Sequence, residues 1–140
     1  MFKTIRIIAT ILFIPILVAC ATAPETFVKN QSGNWITIEL SGNQTKDTVW
    51  GKVSDSLKER DLEFEKIDRD AGYMRTAWNF RISKDRTYAT RVIIDFPSNG
   101  KTLRVKTEAQ YFEEKRWVEG YDTGYNATIK EELSSILGRK

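Results

Sequence analysis

The sequence predicts an α+β fold: one antiparallel sheet of about four to five strands with two helices packed on one face, in the helix-grip-like order β-α-β-β-β-β-α. Three observations carry this expectation. Stretches near residues 34–40, 73–81, 87–96 and 102–112 alternate apolar and polar side chains with the period of a half-buried strand. Two other stretches, one from Thr45 through Leu57 and one over 126–140, repeat apolar residues at helical spacing. A sheet that is apolar on one side only has one face to cover, and two helices suffice for it.

Each element has its own warrant. In "NWITIEL" from Asn34, Ile36, Ile38 and Leu40 oppose Trp35, Thr37 and Glu39, and Ser41-Gly42-Asn43 ends the strand. The period then changes: Val49, Trp50, Val53 and Leu57 form a helical stripe, with Thr45 or Asp47 as its cap. Gly51 interrupts that helix and is expected to mark close packing against the sheet. Leu62 to Ile67 return to extended structure, and Asp68 to Gly72 form a tight turn rather than a calcium loop, since further acidic ligands do not follow.

The next three strands alternate cleanly. "YMRTAWNFRI" sets Met74, Thr76, Trp78 and Phe80 on the core face, with Tyr73, Arg75, Ala77, Asn79 and Arg81 opposite. "TYATRVIIDF" turns Tyr88, Thr90, Val92, Ile94 and Phe96 inward, and "PSNG" ends it. In "TLRVKTEAQYF" Leu103, Val105, Thr107 and Ala109 oppose Arg104, Lys106, Glu108 and Gln110. A charged break at 113–116 leads to a glycine- and tyrosine-containing loop. The last helix carries Ile129, Leu133, Ile136 and Leu137, capped by Asn126 or Thr128 and stopped by Gly138.

Composition limits the chemistry. The chain has 140 residues, no histidine and one cysteine, Cys20. Without histidine it lacks the commonest general base and metal ligand, so no catalytic residue, metal or cofactor is assigned and the chain is read as a binding protein rather than an enzyme. The formal charge of +3 includes Lys3 and Arg6; setting those aside, 20 basic residues face 19 acidic ones. Nucleic acid is therefore not an expected partner.

The amino-terminal residues have a different logic. Lys3 and Arg6 precede an apolar run from Ile7 to Ala19, about 13 residues against the roughly 20 a spanning helix needs. It closes on Leu17-Val18-Ala19-Cys20, which resembles the lipobox of bacterial lipoproteins. That resemblance implies a signal peptide over 1–19, acylation of Cys20, and membrane attachment through the lipid, consistent with two or more chains giving stable anchoring. Residues 20–33 are expected to be the lipidated end and a flexible tether, and 34–140 the folded domain. Ala21, where aspartate is the usual inner-membrane signal, implies the outer membrane, facing the periplasm.

The segment "VWGKVSDSLKERDLEFEKIDRDAGYMRTAW", with Trp50, Val53, Leu57, the turn Asp68-Asp70-Gly72 and Thr76-Ala77-Trp78, is similar to the helix-grip repeats of BamC-type lipoproteins. Arg91 and Trp117 fit the same layout over roughly residues 36–138. The resemblance implies an accessory or scaffolding part in outer-membrane protein assembly, with envelope proteins as partners. That family carries two such domains and a long extended amino-terminal segment; here one domain and a short tether are expected.

Two surface groups stand out as candidate interaction sites. Arg75, Arg81, Arg91, Arg104 and Lys106 are expected on the outward sheet face, opposed by Asp95 and Glu108 alone, as a cationic platform. Trp117, Tyr121 and Tyr125 are expected in the loop before the last helix, as an interface hot spot. Trp50 and Trp78 are read as core. The alternative function is a lipid- or glycan-binding module with its ligand in a cavity between sheet and helices.

Overall fold

The computed structural model describes residues 23–81 and 83–138. The expectations for Cys20 and for the signal peptide over 1–19 lie outside these residues. The described chain forms one antiparallel sheet and two helices, as the alternation and the helical stripes require. Its elements are β1 (Phe27–Lys29), β2 (Ile36–Glu39), α1 (Lys46–Glu59), β3 (Phe64–Asp68), β4 (Tyr73–Thr76), β5 (Tyr88–Asp95), β6 (Thr102–Glu113), β7 (Arg116–Asp122) and α2 (Thr123–Leu137). The sheet has seven strands in the order β1-β7-β6-β5-β4-β3, with β2 paired to β6. Strand β6 is long enough to serve two neighbours on one edge: β2 beside Thr102–Val105 and β7 beside Ala109–Glu113.

The strand count and order thus differ from expectation by two elements. Strand β1 lies inside the expected tether and pairs with β7, so ordered structure begins well before residue 34. Strand β7 occupies the expected loop. Gly120 carried that loop reading, yet in the fold it permits close approach: a Cβ there would lie 2.1 Å from the Val28 carbonyl oxygen and 2.8 Å from the Phe27 ring. The charged break at 113–116 is a hairpin turn, with Glu114 and Lys115 both at positive φ, the geometry that matches strand twist.

Both helices cover the same sheet face. Val49, Val53 and Leu57 of α1 and Ile129, Leu133 and Leu137 of α2 pack with Met74, Val92, Ile94, Leu103 and Val105, all at 0–1% exposure. The space that the alternative reading assigned to a ligand between sheet and helices is occupied by this core. Trp50 belongs to it, stacked on Phe96 at 5.0 Å.

Polar groups lock the helices in place. Thr45 caps α1 by accepting from the Thr48 amide at 3.2 Å. Asp122 caps α2, four residues earlier than Asn126: one carboxylate oxygen accepts from the Tyr125 amide at 2.9 Å and the other from the Tyr88 hydroxyl at 2.5 Å. Burial first, then the facing carboxylate, push the Tyr88 phenol above its ordinary value. Between the helices, Glu132 accepts from Ser56 at 2.5 Å and is ion-paired with Arg60. Burial alone would raise the Glu132 carboxyl, but the Arg60 and Ser56 hydrogen bonds and the Arg60 charge hold it below the usual carboxylate value.

Gly51 does not pack against the sheet as expected: a Cβ there meets nothing within 4 Å. Thermal or urea unfolding should therefore find Gly51→Ala more stable by about 0.5–1 kcal/mol, whereas Gly120→Ala, which collides with β1, should be destabilised. Because Glu132 is depressed in the folded state, its stabilisation is complete above the ordinary glutamate value and is lost as pH falls through the lowered one. Glu132→Gln should accordingly cost about 1 kcal/mol near neutral pH, with the gap to the parent chain closing on acidification in urea titrations across that range.

Candidate functional site

The helices leave the opposite sheet face open, and a local slip decides what it carries. Strand β4 pairs with β5 in regular register through Arg75↔Ile93. Continued without change, that register would put Trp78 opposite Thr90. Instead Asn79 pairs with Thr90, with the two amides and carbonyls exchanging hydrogen bonds at 2.8 and 3.3 Å. One extra residue has entered between Thr76 and Asn79, and the Val92 amide is satisfied by the Thr76 hydroxyl at 2.9 Å. A one-residue shift reverses the facing of every side chain beyond it. Trp78, expected in the core, therefore stands on the open face, with the Arg91 guanidinium 4.3 Å from its ring centroid.

A second irregularity supplies a charge the alternation concealed. The β3–β4 register shifts between Phe64 and Lys66, and the intervening Glu65 reaches the open face, 2.7 Å from Arg75 and 3.8 Å from Arg91. Arg91 also binds Glu108 at 2.6 Å, and Lys106 lies 3.4 Å from the other Glu108 oxygen. Arg104 is paired with Asp95, its Nε donating at 2.9 Å. Trp35 covers the far end, 4.7 Å from Arg104 and 6.0 Å from Lys106.

The expected cationic platform is thus an ion-pair lattice. Four cations, Arg75, Arg91, Arg104 and Lys106, meet three carboxylates, Glu65, Asp95 and Glu108. Two indoles lie over its arginines. The side chains of Arg91 and Lys106 are only 19% and 17% exposed, so they present little free charge. Each exposed pair contributes at most about 1 kcal/mol, but the mutual contacts hold long side chains in one arrangement. The face is aromatic, and its cations exceed its carboxylates by one.

The other expected site residues separate. Arg81 lies beyond the Asn79 bridge, exposed and 3.9 Å from Asp61, away from the lattice. Tyr121 is half-buried on the open face of β7, beneath the 30–34 crossover: a Cβ on Gly33 would lie 3.2 Å from the Tyr121 Cβ. Tyr125 is on the other side, packed against the main core, and burial raises its hydroxyl above the ordinary phenol value. Trp117 is 39% exposed beside Phe112, at 5.2 Å, and Phe80, at 5.5 Å. Sequence reasoning missed Glu65, Trp35, Trp78 and Phe112 as members of this face. Only Trp35 and Phe112 bear a signal, aromatic rings at outward positions of predicted strands, whereas Glu65 and Trp78 arrive through register shifts.

Two clefts flank the Trp78 indole. One, of about 390 Å³, is bounded by Asn30, Gln31 and Ser32 on one side and Trp78 on the other, with Arg91 and Glu108 at its base. The second, of about 400 Å³, lies between Trp78, Phe80 and the loop carrying Arg81 and Arg86. Such grooves suit side chains or an extended segment of a partner. Among the described residues, no group of three or more acidic, histidine or cysteine side chains is placed to hold a metal ion. No protein-family model matches the chain, and no curated protein sequence is significantly similar to it.

Proposed function

We propose that this chain is a lipid-anchored accessory or scaffolding protein of the bacterial envelope, attached through Cys20 to the outer membrane and acting by binding through its open sheet face. The observation that carries the binding role is the placement of Trp35 and Trp78 over the arginines of the side the helices do not cover. Indoles are among the groups that dominate protein interfaces, because they bury large area at small entropic cost. The filled space between sheet and helices supports this reading over a ligand held there.

The anchor rests on the sequence of the lipobox, and the outer-membrane location on Ala21. A part in outer-membrane protein assembly rests on the similarity of residues 36–138 to BamC-type domains. In that reading the partners are envelope proteins, and no nucleic acid or cofactor is involved.

Photo-crosslinking in intact cells tests the proposal. A photoreactive residue placed at Thr37, on the open face beside Trp35, is expected to capture barrel-assembly components, whereas one at Asp55, on the outer side of α1, is not. Capture of none from either position removes the assembly role. Mass spectrometry of the mature chain is expected to show acylated Cys20 at its amino terminus; an unmodified terminus downstream of Cys20 removes the anchor.

A further inference from the structure

The end of the sheet that carries the β6–β7 turn collects features that the open-face lattice does not use. Phe112 and Trp117 are directly opposed across the hairpin, at 40% and 39% exposure, and Phe80 closes the group edge-on against Trp117. Glu114 and Lys115 form the turn and Arg116 flanks it, so one exposed carboxylate stands among the cations; Glu113 is held by Lys29 at 2.6 Å, and Arg86 lies 5.7 Å from the Phe80 ring. Exposed aromatic rings bordered by lysine and arginine match the boundary between lipid headgroups and acyl chains, where amphipathic rings reside and basic side chains meet phosphate.

The course of the amino-terminal chain supplies the independent argument. The Phe27 amide bonds the Pro24 carbonyl at 2.9 Å, so the chain turns back, and Ala23 joins the cluster of Tyr88, Ala109 and Tyr111. That cluster occupies the same end of the sheet: Tyr111 immediately precedes Phe112, and the Phe112 amide bonds the Thr87 carbonyl beside Tyr88. From Cys20 to Ala23 is three residues, at most about 11 Å of extended chain. A lipid on Cys20 would hold this end of the domain, and no other, within reach of the headgroups.

We infer that the β6–β7 end, through Phe112, Trp117 and Phe80 with Lys115 and Arg116, is a bilayer-contacting surface that stands the sheet on its end on the membrane. The inference rests on the lipid-anchor reading. It deepens that reading by giving the anchored domain one orientation: the lattice around Trp35 and Arg104 points away from the bilayer, toward partners.

The mature acylated protein, reconstituted in phosphatidylethanolamine–phosphatidylglycerol vesicles with a brominated phosphatidylcholine, tests this by tryptophan quenching. The lipid bromines are expected to quench the parent protein. Trp117→Phe should abolish most of that quenching and Trp35→Phe should leave it intact. Phe112→Trp introduced into the Trp117→Phe chain should restore it, with matching circular dichroism spectra showing that the fold is kept. An acylated protein whose quenching is absent, survives Trp117→Phe or disappears with Trp35→Phe overturns the inference and leaves the anchor standing. A mature chain without acyl groups overturns both.

Discussion

A single extra residue in the strand that follows the Asp68–Gly72 turn governs what the molecule offers to its surroundings. Regular pairing continued beyond Arg75 would have sent Trp78 into the core; the slip that instead sets Asn79 opposite Thr90 sends it out. The consequences propagate by contact. Trp78 covers Arg91, Arg91 engages Glu108 and Glu65, and Glu108 engages Lys106. Clefts lie on both sides of the indole, which is on the open face instead of in the core. Irregularities of this kind are a common means of re-aiming a side chain at a functional surface.

The opposite face obeys simpler rules. Apolar side chains at helical and strand periods close on one another, and most of the buried polar groups among them, the Thr90 and Tyr125 hydroxyls excepted, have hydrogen-bond partners. Asp122 is the clearest instance, joining the start of α2 to Tyr88 of β5 with one carboxylate. Glu132 does the same between the helices through Ser56 and Arg60. One face thus provides stability, which frees the other to carry aromatic rings and ion pairs whose own contribution to folding is small.

Legibility in the sequence follows this division. The helices, β2 and β4 to β6 were readable because burial on one side imposes a period, and the inward assignments of Val92, Ile94, Leu103 and Val105 follow from it. Strand β1 was not readable, since Phe27–Lys29 is too short to show alternation. Strand β7 was hidden by Gly120, whose meaning as a contact point for β1 appears only when β1 is in place. The open face was half legible: four of its cations were placed correctly, but Glu65 and Trp78 reach it through register shifts, and a shift leaves no periodic trace. Gly51 shows the converse, a residue that invites a packing explanation and has open space beside it.

Two bulges shape the open surface, and what it offers depends on the outward facing of Trp78. Nuclear Overhauser contacts of the Trp78 indole, measured on the folded protein in solution, test this most directly. Contacts from the indole to the side-chain methylenes of Arg91 are expected. Contacts from that indole to the methyl groups of Val92 and Met74 would place it in the core and remove the outward facing.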